Sequence, residues 1–270
     1  MRKNLLILGL LIGSLSFMAF KFLNSNKVTS CNQDITSIKS SPKIEGDFFT
    51  LSHILNPNDL IYKVESRFLH TISKSDLNKA KSIVDLVPKK ATQSIESYHY
   101  SRVSLLDDHV ETDRRAYAEN EVLTALQINL LQSVNDSDNI YVRSDFIRKD
   151  SYAATLDNSY LTYFVSVVPD QKAEYQEGHE SLIQYLRKSS EEQIKVITKD
   201  GLRGGKVRFT ITKDGMIDKV KLTSTSGYES VDKTLVEIIE NIPGNWTPAS
   251  TEKGEKVDQE FVFFFGVMGC

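Results

Sequence analysis

Scarcity defines this chain before any motif does. Its 270 residues include two cysteines, six prolines and one tryptophan. Its charges nearly cancel, with 33 Lys and Arg against 36 Asp and Glu for a formal net charge of −3. Cys31 and Cys270 are too few for a Cys₄ zinc site or a disulfide framework. Balanced charge gives no field suited to a phosphate backbone, which argues against nucleic acid as a partner. Six prolines leave no room for a stiff polyproline spacer. No G-x-S-x-G elbow and no H-E-x-x-H run occurs. The five histidines His53, His70, His99, His109 and His179 are too far apart in sequence to make a ligand pair on one helix. With 40% hydrophobic residues the chain can still bury enough surface to fold.

What is present begins with Met1-Arg2-Lys3, then an apolar run from Leu5 to Phe20 whose polar side chains are Ser14 and Ser16. Phe22 and Leu23 extend it past Lys21. As a helix, 5–23 spans roughly 28 Å, close to the hydrocarbon core of a bilayer. An uncleaved anchor is preferred over two alternatives that stay open. A cleaved signal has its small-residue pair, Ser14 and Ser16, inside the apolar run. A lipoprotein signal ending Val28-Thr29-Ser30-Cys31 is separated from that run by polar Asn24–Lys27. The basic start stays in the cytoplasm and the body faces outward. In an oxidising compartment Cys31 and Cys270 either pair or remain separate thiols, since sequence does not supply their separation.

The expected organisation is α+β: an anchor or signal segment over 1–23, a polar linker over 24–47, a mixed α+β middle domain of unassigned role over 48–170, and a C-terminal domain over 171–270. Leu60 to Glu65 alternates as a strand of the middle region. Ser73 and Asp76 open a helix carrying Leu77, Ala80, Val84 and Val87 on one face, which Pro88 stops. A second helix from Thr124 buries Leu126, Leu130 and Leu131, and strands follow from Ile140 and over 159–168.

The C-terminal part is patterned most clearly. A short helix holds Leu182 and Leu186, and 206–212 alternates as a strand up to the Lys213-Asp214-Gly215 turn. A second strand carries Ile217, Val220 and Leu222, with a break in alternation that predicts a bulge. Ser230 caps a helix with Val231, Leu235, Ile238, Ile239 and Ile242 on one stripe, and a last strand runs from Val257 to Met268. This predicts a ββαβ unit with a three-stranded antiparallel sheet.

Gly205 to Gly215, Val220 to Ser224, Ser226-Gly227, Ile242-Pro243, Trp246-Thr247-Pro248, Gly254 and the last strand resemble the C-terminal domain of TonB-type proteins, in the form common in the Bacteroidetes-type envelope. Glu177-Gly178 with Leu182 and Tyr185-Leu186 is similar to that form's leading helix. The resemblance covers about 175–270. It implies a single-pass inner-membrane protein whose periplasmic body binds an outer-membrane TonB-dependent transporter or receptor by strand addition. It also implies proton-motive energy passed from inner-membrane proton-channel proteins. The family's anchor carries a Ser and a His one helical turn apart; here Ser16 is followed by Phe20, and no histidine precedes His53. The long Pro-rich spacer is absent too. A structural periplasmic adaptor or assembly module without energy coupling therefore stands as the alternative.

In the last strand Phe261, Phe263 and Phe265 share a face suited to the helix, while Glu260, Val262, Phe264 and Met268 share the other. This second face is the candidate partner-binding surface; the middle region, a second copy in a homodimer, or a partner would cover it. If the strand is an edge, its backbone is a template for an incoming peptide, and Val262→Pro would abolish binding yet spare the fold. Gly205, Gly215, Trp246 and Pro248 are assigned structural roles.

No enzyme is expected, and no cofactor or metal. Gly201 to Lys206 is too short for a phosphate loop and leads into a strand. The acidic stretch Asp107–Asp113 reads as a solvated loop and Asp136–Asp138 as a turn. A coupled anchor makes Ser16→Leu alter proton-linked uptake. Unchanged uptake, in cells where deleting the protein abolishes it, excludes a Ser16-dependent coupled anchor.

Overall fold

Alternating strands at the C-terminal end and long apolar strands in the middle build two main sheets, each with its own core. A computed structural model describes residues 59–149, 156–195, 197–198 and 201–267. The expected anchor or signal segment 1–23, the linker 24–47, and Cys31, Met268 and Cys270 lie outside the described residues. Among the described residues no helix is long and apolar enough to cross a membrane.

The first elements are β1 (Ile61–Glu65), β2 (His70–Ser73), α1 (Lys74–Lys79), a 3-10 turn (Ile83–Leu86) and α2 (Lys89–Thr92). Then come β3 (Ile95–Asp107), β4 (Val110–Ala118), α3 (Ala125–Gln132), β5 (Asn139–Lys149) and β6 (Leu156–Val168). After β7 (Glu174–Tyr175) follow α4 (His179–Ile194), β8 (Gly205–Ile211), β9 (Ile217–Ser224) and α5 (Glu229–Glu240). The last are β10 (Trp246–Thr247), β11 (Ala249–Ser250), β12 (Lys256–Val257) and β13 (Gln259–Gly266).

The middle sheet has the order β2-β6-β5-β3-β4, antiparallel except for the β2–β6 pair. One of its faces, with Val103, Ile140, Val142, Val165 and Val167, packs on Leu77, Ile83, Leu86 and Leu131. The helix expected from Ser73 to Val87 is split. Ser73 does cap α1, accepting the Asp76 N–H at 3.1 Å. Beyond Lys79 the backbone turns to a distant partner: Ile83 N–H donates to Glu121 O at 2.8 Å and Leu123 N–H to Lys81 O at 2.9 Å. The Asp85 carboxylate takes the N–H groups of Lys81 and Ser82, both at 2.9 Å, and restarts the chain as the 3-10 turn. Thr124 caps α3 through a capping box with Gln127. Leu126, expected in the core, is exposed and Gln127 is buried; Leu131 is buried as expected, and Leu130 is half-buried.

The C-terminal sheet has the order β1-β13-β8-β9. Val207, Phe209, Ile211, Phe261, Phe263 and Phe265 pack under Leu182 and Leu186 of α4 and Val231, Leu235 and Ile239 of α5. The order β8, β9, α5, β13 is the expected ββαβ sequence of elements, but the sheet has four strands and not three. β1, read as part of the middle region, pairs antiparallel with β13 from Ile61↔Gly266 to Glu65↔Val262. Its period-two pattern matches that role. Leu60, Tyr62 and Val64 are buried in the C-terminal core, and Tyr62 meets Phe265 edge-on at 5.3 Å. The Tyr62 hydroxyl lies 2.7 Å from Ser190 Oγ, and the Arg187 guanidinium lies over its ring at 4.5 Å. The described residues belong to one compact unit.

Smaller expectations shift too. α4 runs 16 residues, longer than read, and α5 starts at Glu229 with Tyr228 before it, so Ser230 is not its cap. Asp232 holds the turn before α5 by accepting the Ser226 N–H at 2.7 Å. The predicted bulge sits at Lys219, whose φ is 53°.

Because β13 is flanked on both sides, Val262→Pro should unfold the protein, costing about 3 kcal/mol or more. Tyr62→Ala should cost about 3–5 kcal/mol, the scale of a buried aromatic truncation. Denaturant unfolding measures both; unchanged midpoints would contradict a β1 built into the core.

Candidate functional site

The face of β13 assigned to a partner takes three different environments. Val262, 4% exposed, sits between Glu65 of β1 and Arg208 of β8 in the ladder. Glu260 lies past the end of β1, and its N–H donates to Ser137 Oγ at 2.9 Å, so the middle sheet's loop completes this edge. Beside them runs an ion cluster. Asp108 Oδ1, at the tip of the β3–β4 hairpin, accepts from Arg67 Nη1 at 3.0 Å and Arg208 Nη1 at 3.1 Å. Arg208 Nε lies 3.5 Å from Glu260 Oε2. The hydrogen bond and charge of Arg67, with Arg208 behind them, hold the Asp108 carboxyl below its ordinary range. Burial pushes the Glu260 carboxyl up, and Arg208 offsets part of that rise. The acidic stretch read as a solvated loop is thus a hairpin end that ties the middle sheet to β8 and β13. Of the three ways to cover this face, the middle region covers the Glu260 end.

Phe264 faces an open groove of about 250 Å³ with Ile61, Lys63, Glu65, Leu69 and Gly266. Lys206 Nζ lies 5.1 Å from the Phe264 ring centroid. This groove lies on a sheet face, so it offers side-chain contact and no backbone pairing. Met268 is outside the described residues.

The backbone of β13 is taken up by β1 and β8, so an added strand has no place on it. Among the described residues no strand pairs with the outer edge of β9. Between this edge and α5 lies a groove of about 710 Å³, with Leu222 and Val236 as apolar lining and Glu229, Asp232, Lys233 and Glu237 as its charged residues. Lys219 and Lys221 are exposed on β9, and the bulge twists its outer half. Both features protect an edge against indiscriminate pairing. The sequence predicted β9 as a strand but not as the candidate binding edge, because it could not assign β1 a partner. The burial-like alternation of Leu60, Tyr62 and Val64 was the available signal.

The structural assignments have clear surroundings. Trp246, 7% exposed, meets Tyr175 at 5.4 Å and Phe261 at 5.8 Å between ring centroids, with half-buried Pro248 just after it. Gly215 has φ +81°, and a Cβ there would stand 2.6 Å from the Trp246 carbonyl oxygen, so only glycine fits this turn. Gly205 is buried against Leu235 and Ser226.

His70 Nε2 lies 3.1 Å from Leu86 O, and His109 meets Phe68 edge-on at 6.2 Å. Among the described residues no cluster of three or more His, Cys, Asp or Glu is placed to hold a metal ion. Comparisons with known protein families, with curated proteins and with solved structures found no match.

The ion cluster carries a pH signature. A depressed folded-state pKa makes Asp108 stabilising above the unfolded carboxylate range, and that contribution is lost as pH falls through the folded value. Asp108→Asn should therefore lower stability at neutral pH by about 0.5–1 kcal/mol, given the exposure of the carboxylate. The gap between variant and parent should close in acid. Unfolding midpoints across pH measure this, and a gap that persists in acid would exclude the charge as its source.

Proposed function

We propose that this chain is a single-pass inner-membrane protein whose periplasmic body is TonB-like in its C-terminal sheet and binds without enzymatic chemistry of its own. Its partner is an outer-membrane transporter or receptor, which offers an extended segment to the edge of β9. The observation that carries this reading is the pairing of β13 on both sides, which leaves β1 and β9 as the outer strands of the C-terminal sheet, β9 being the one that borders the groove of about 710 Å³ against α5. In strand addition the main chain supplies affinity and alternate side chains supply selectivity. Leu222 and Val236 favour an apolar side chain, and the exposed Glu229 favours a neighbouring Lys or Arg, while Glu237 is paired with Lys233 at 3.8 Å.

Proton-linked energy transfer through the N-terminal segment belongs to the same reading. The lack of any histidine before His53 favours the second reading, an envelope adaptor that uses the same edge without coupling.

Hydrogen exchange on the full chain with a peptide from the receptor's periplasm-facing segment tests the edge. Amides over 217–224 should gain protection while those of β13 stay unchanged, and Leu222→Asp should weaken binding about tenfold. Protection confined to β1, or none at all, would remove β9 as the binding edge.

A further inference from the structure

The middle sheet has a second face that takes no part in its core, and its cross-strand register maps it. From β6 to β4, one row reads Phe164, Tyr141, Ser104 and Arg115, and the next Thr162, Arg143, Arg102 and Tyr117. The third reads Tyr160, Asp145 and Tyr100. Phe68, from the segment between β1 and β2, packs on Phe164 at 5.2 Å, and Ser104 and Tyr141 are buried, so the open part of the face is the side of Tyr160 and Tyr117. Tyr160, Tyr117 and Phe164 are 62%, 45% and 42% exposed.

The centre of this face breaks a rule of sheet stability. Arg102 and Arg143 stand directly opposite each other, where like charges repel. Each is restrained by a carboxylate and a ring. Arg102 Nη2 donates to Glu111 Oε1 at 2.9 Å and lies over Tyr141 at 5.3 Å. Arg143 lies 3.0 Å from Asp145 Oδ1 and over Tyr160 at 4.8 Å. Ser104 Oγ fixes Glu111 Oε2 at 2.9 Å. Such a violation, held in place by several neighbours, marks a functional surface more than a stabilising one.

We infer that this face is a carbohydrate-binding surface for a neutral glycan chain. Three features favour that occupant. Arg102, Arg115 and Arg143 are balanced by Glu111, Asp113 and Asp145, so a polyanion gains no net attraction here. The centre of the face is charged and the exposed rings stand on its outer strands β6 and β4, the reverse of a protein interface with its charge-poor, aromatic centre. Paired guanidinium and carboxylate groups offer fixed donors and acceptors to vicinal hydroxyls, and the rings offer flat apolar faces to sugar C–H groups. From β6 to β4 the face measures roughly 14 Å, long enough for a run of sugar rings and not just one. The residues involved are separate from the β9 edge, so this inference stands apart from the function proposed above.

The test is binding of the full chain to cello-, malto-, manno- and chito-oligosaccharides, with heparin as the polyanion control, by calorimetry or glycan array. At least one neutral oligosaccharide should bind with little dependence on salt. Tyr160→Ala and Tyr117→Ala, both on the exposed surface, should together weaken it roughly tenfold, the scale of one or two lost ring contacts. An unchanged unfolding midpoint separates that loss from misfolding. Binding to heparin alone, binding unaffected by the two substitutions, or no neutral glycan bound would each overturn the inference. Self-association through this face, abolished by Tyr160→Ala, would overturn it in favour of a second copy.

Discussion

The pairing of β1 with β13 is the constraint on which the rest depends. It joins strands from opposite ends of the described chain, and it spends the backbone of the last strand entirely inside the fold. Tyr62 secures it through ring contacts with Phe263 and Phe265 and through its hydroxyl beside Ser190. A strand held by a buried aromatic and a buried polar contact is a core element, not a displaceable flap. The consequence for function is geometric. Any main-chain recognition has to use an outer strand of the sheet, β1 or β9, and β9 borders the groove of about 710 Å³ against α5.

The same closure explains how the two sheets share one unit. β1 sits in the C-terminal sheet and β2, a few residues on, in the middle one. Between them Arg67 reaches Asp108 of the β3–β4 hairpin, and Asp108 reaches Arg208 of β8. One acid at a hairpin tip therefore serves both sheets, while Ser137 completes the edge of β13 where β1 has ended. The residual opening is at Phe264, the end of the face this junction does not reach.

Local chemistry was legible where its partners are near in sequence. The caps at Ser73 and Thr124, the Gly215 turn, the bulge near Lys219 and the buried role of Trp246 all follow from short-range geometry. The inward faces of β8 and β13 were legible as well, because alternation specifies which side chains meet a covering helix. The split of the helix after Lys79 was not, because it depends on the carbonyl of Glu121 and the N–H of Leu123. Leu126 misled for a similar reason: a periodic stripe gives the face of a helix but not which part of that stripe the sheet meets. Of the candidate site, the two-faced character of the last strand was legible; its loss of both free edges was not.

By itself, the sequence determined the side of the C-terminal strands β8 and β13 that turns inward, and the lack of any local catalytic or phosphate-binding motif. Those are properties of period, turn chemistry and residue type, which act over a few positions. The tertiary structure alone decided that β1 closes the β13 edge, that Asp108 bridges two arginines, and that Arg102 faces Arg143 across an open sheet. Each depends on strand register between distant segments. Alternation marks a strand as able to pair without naming its partner, so the choice of partner waits for the packed core.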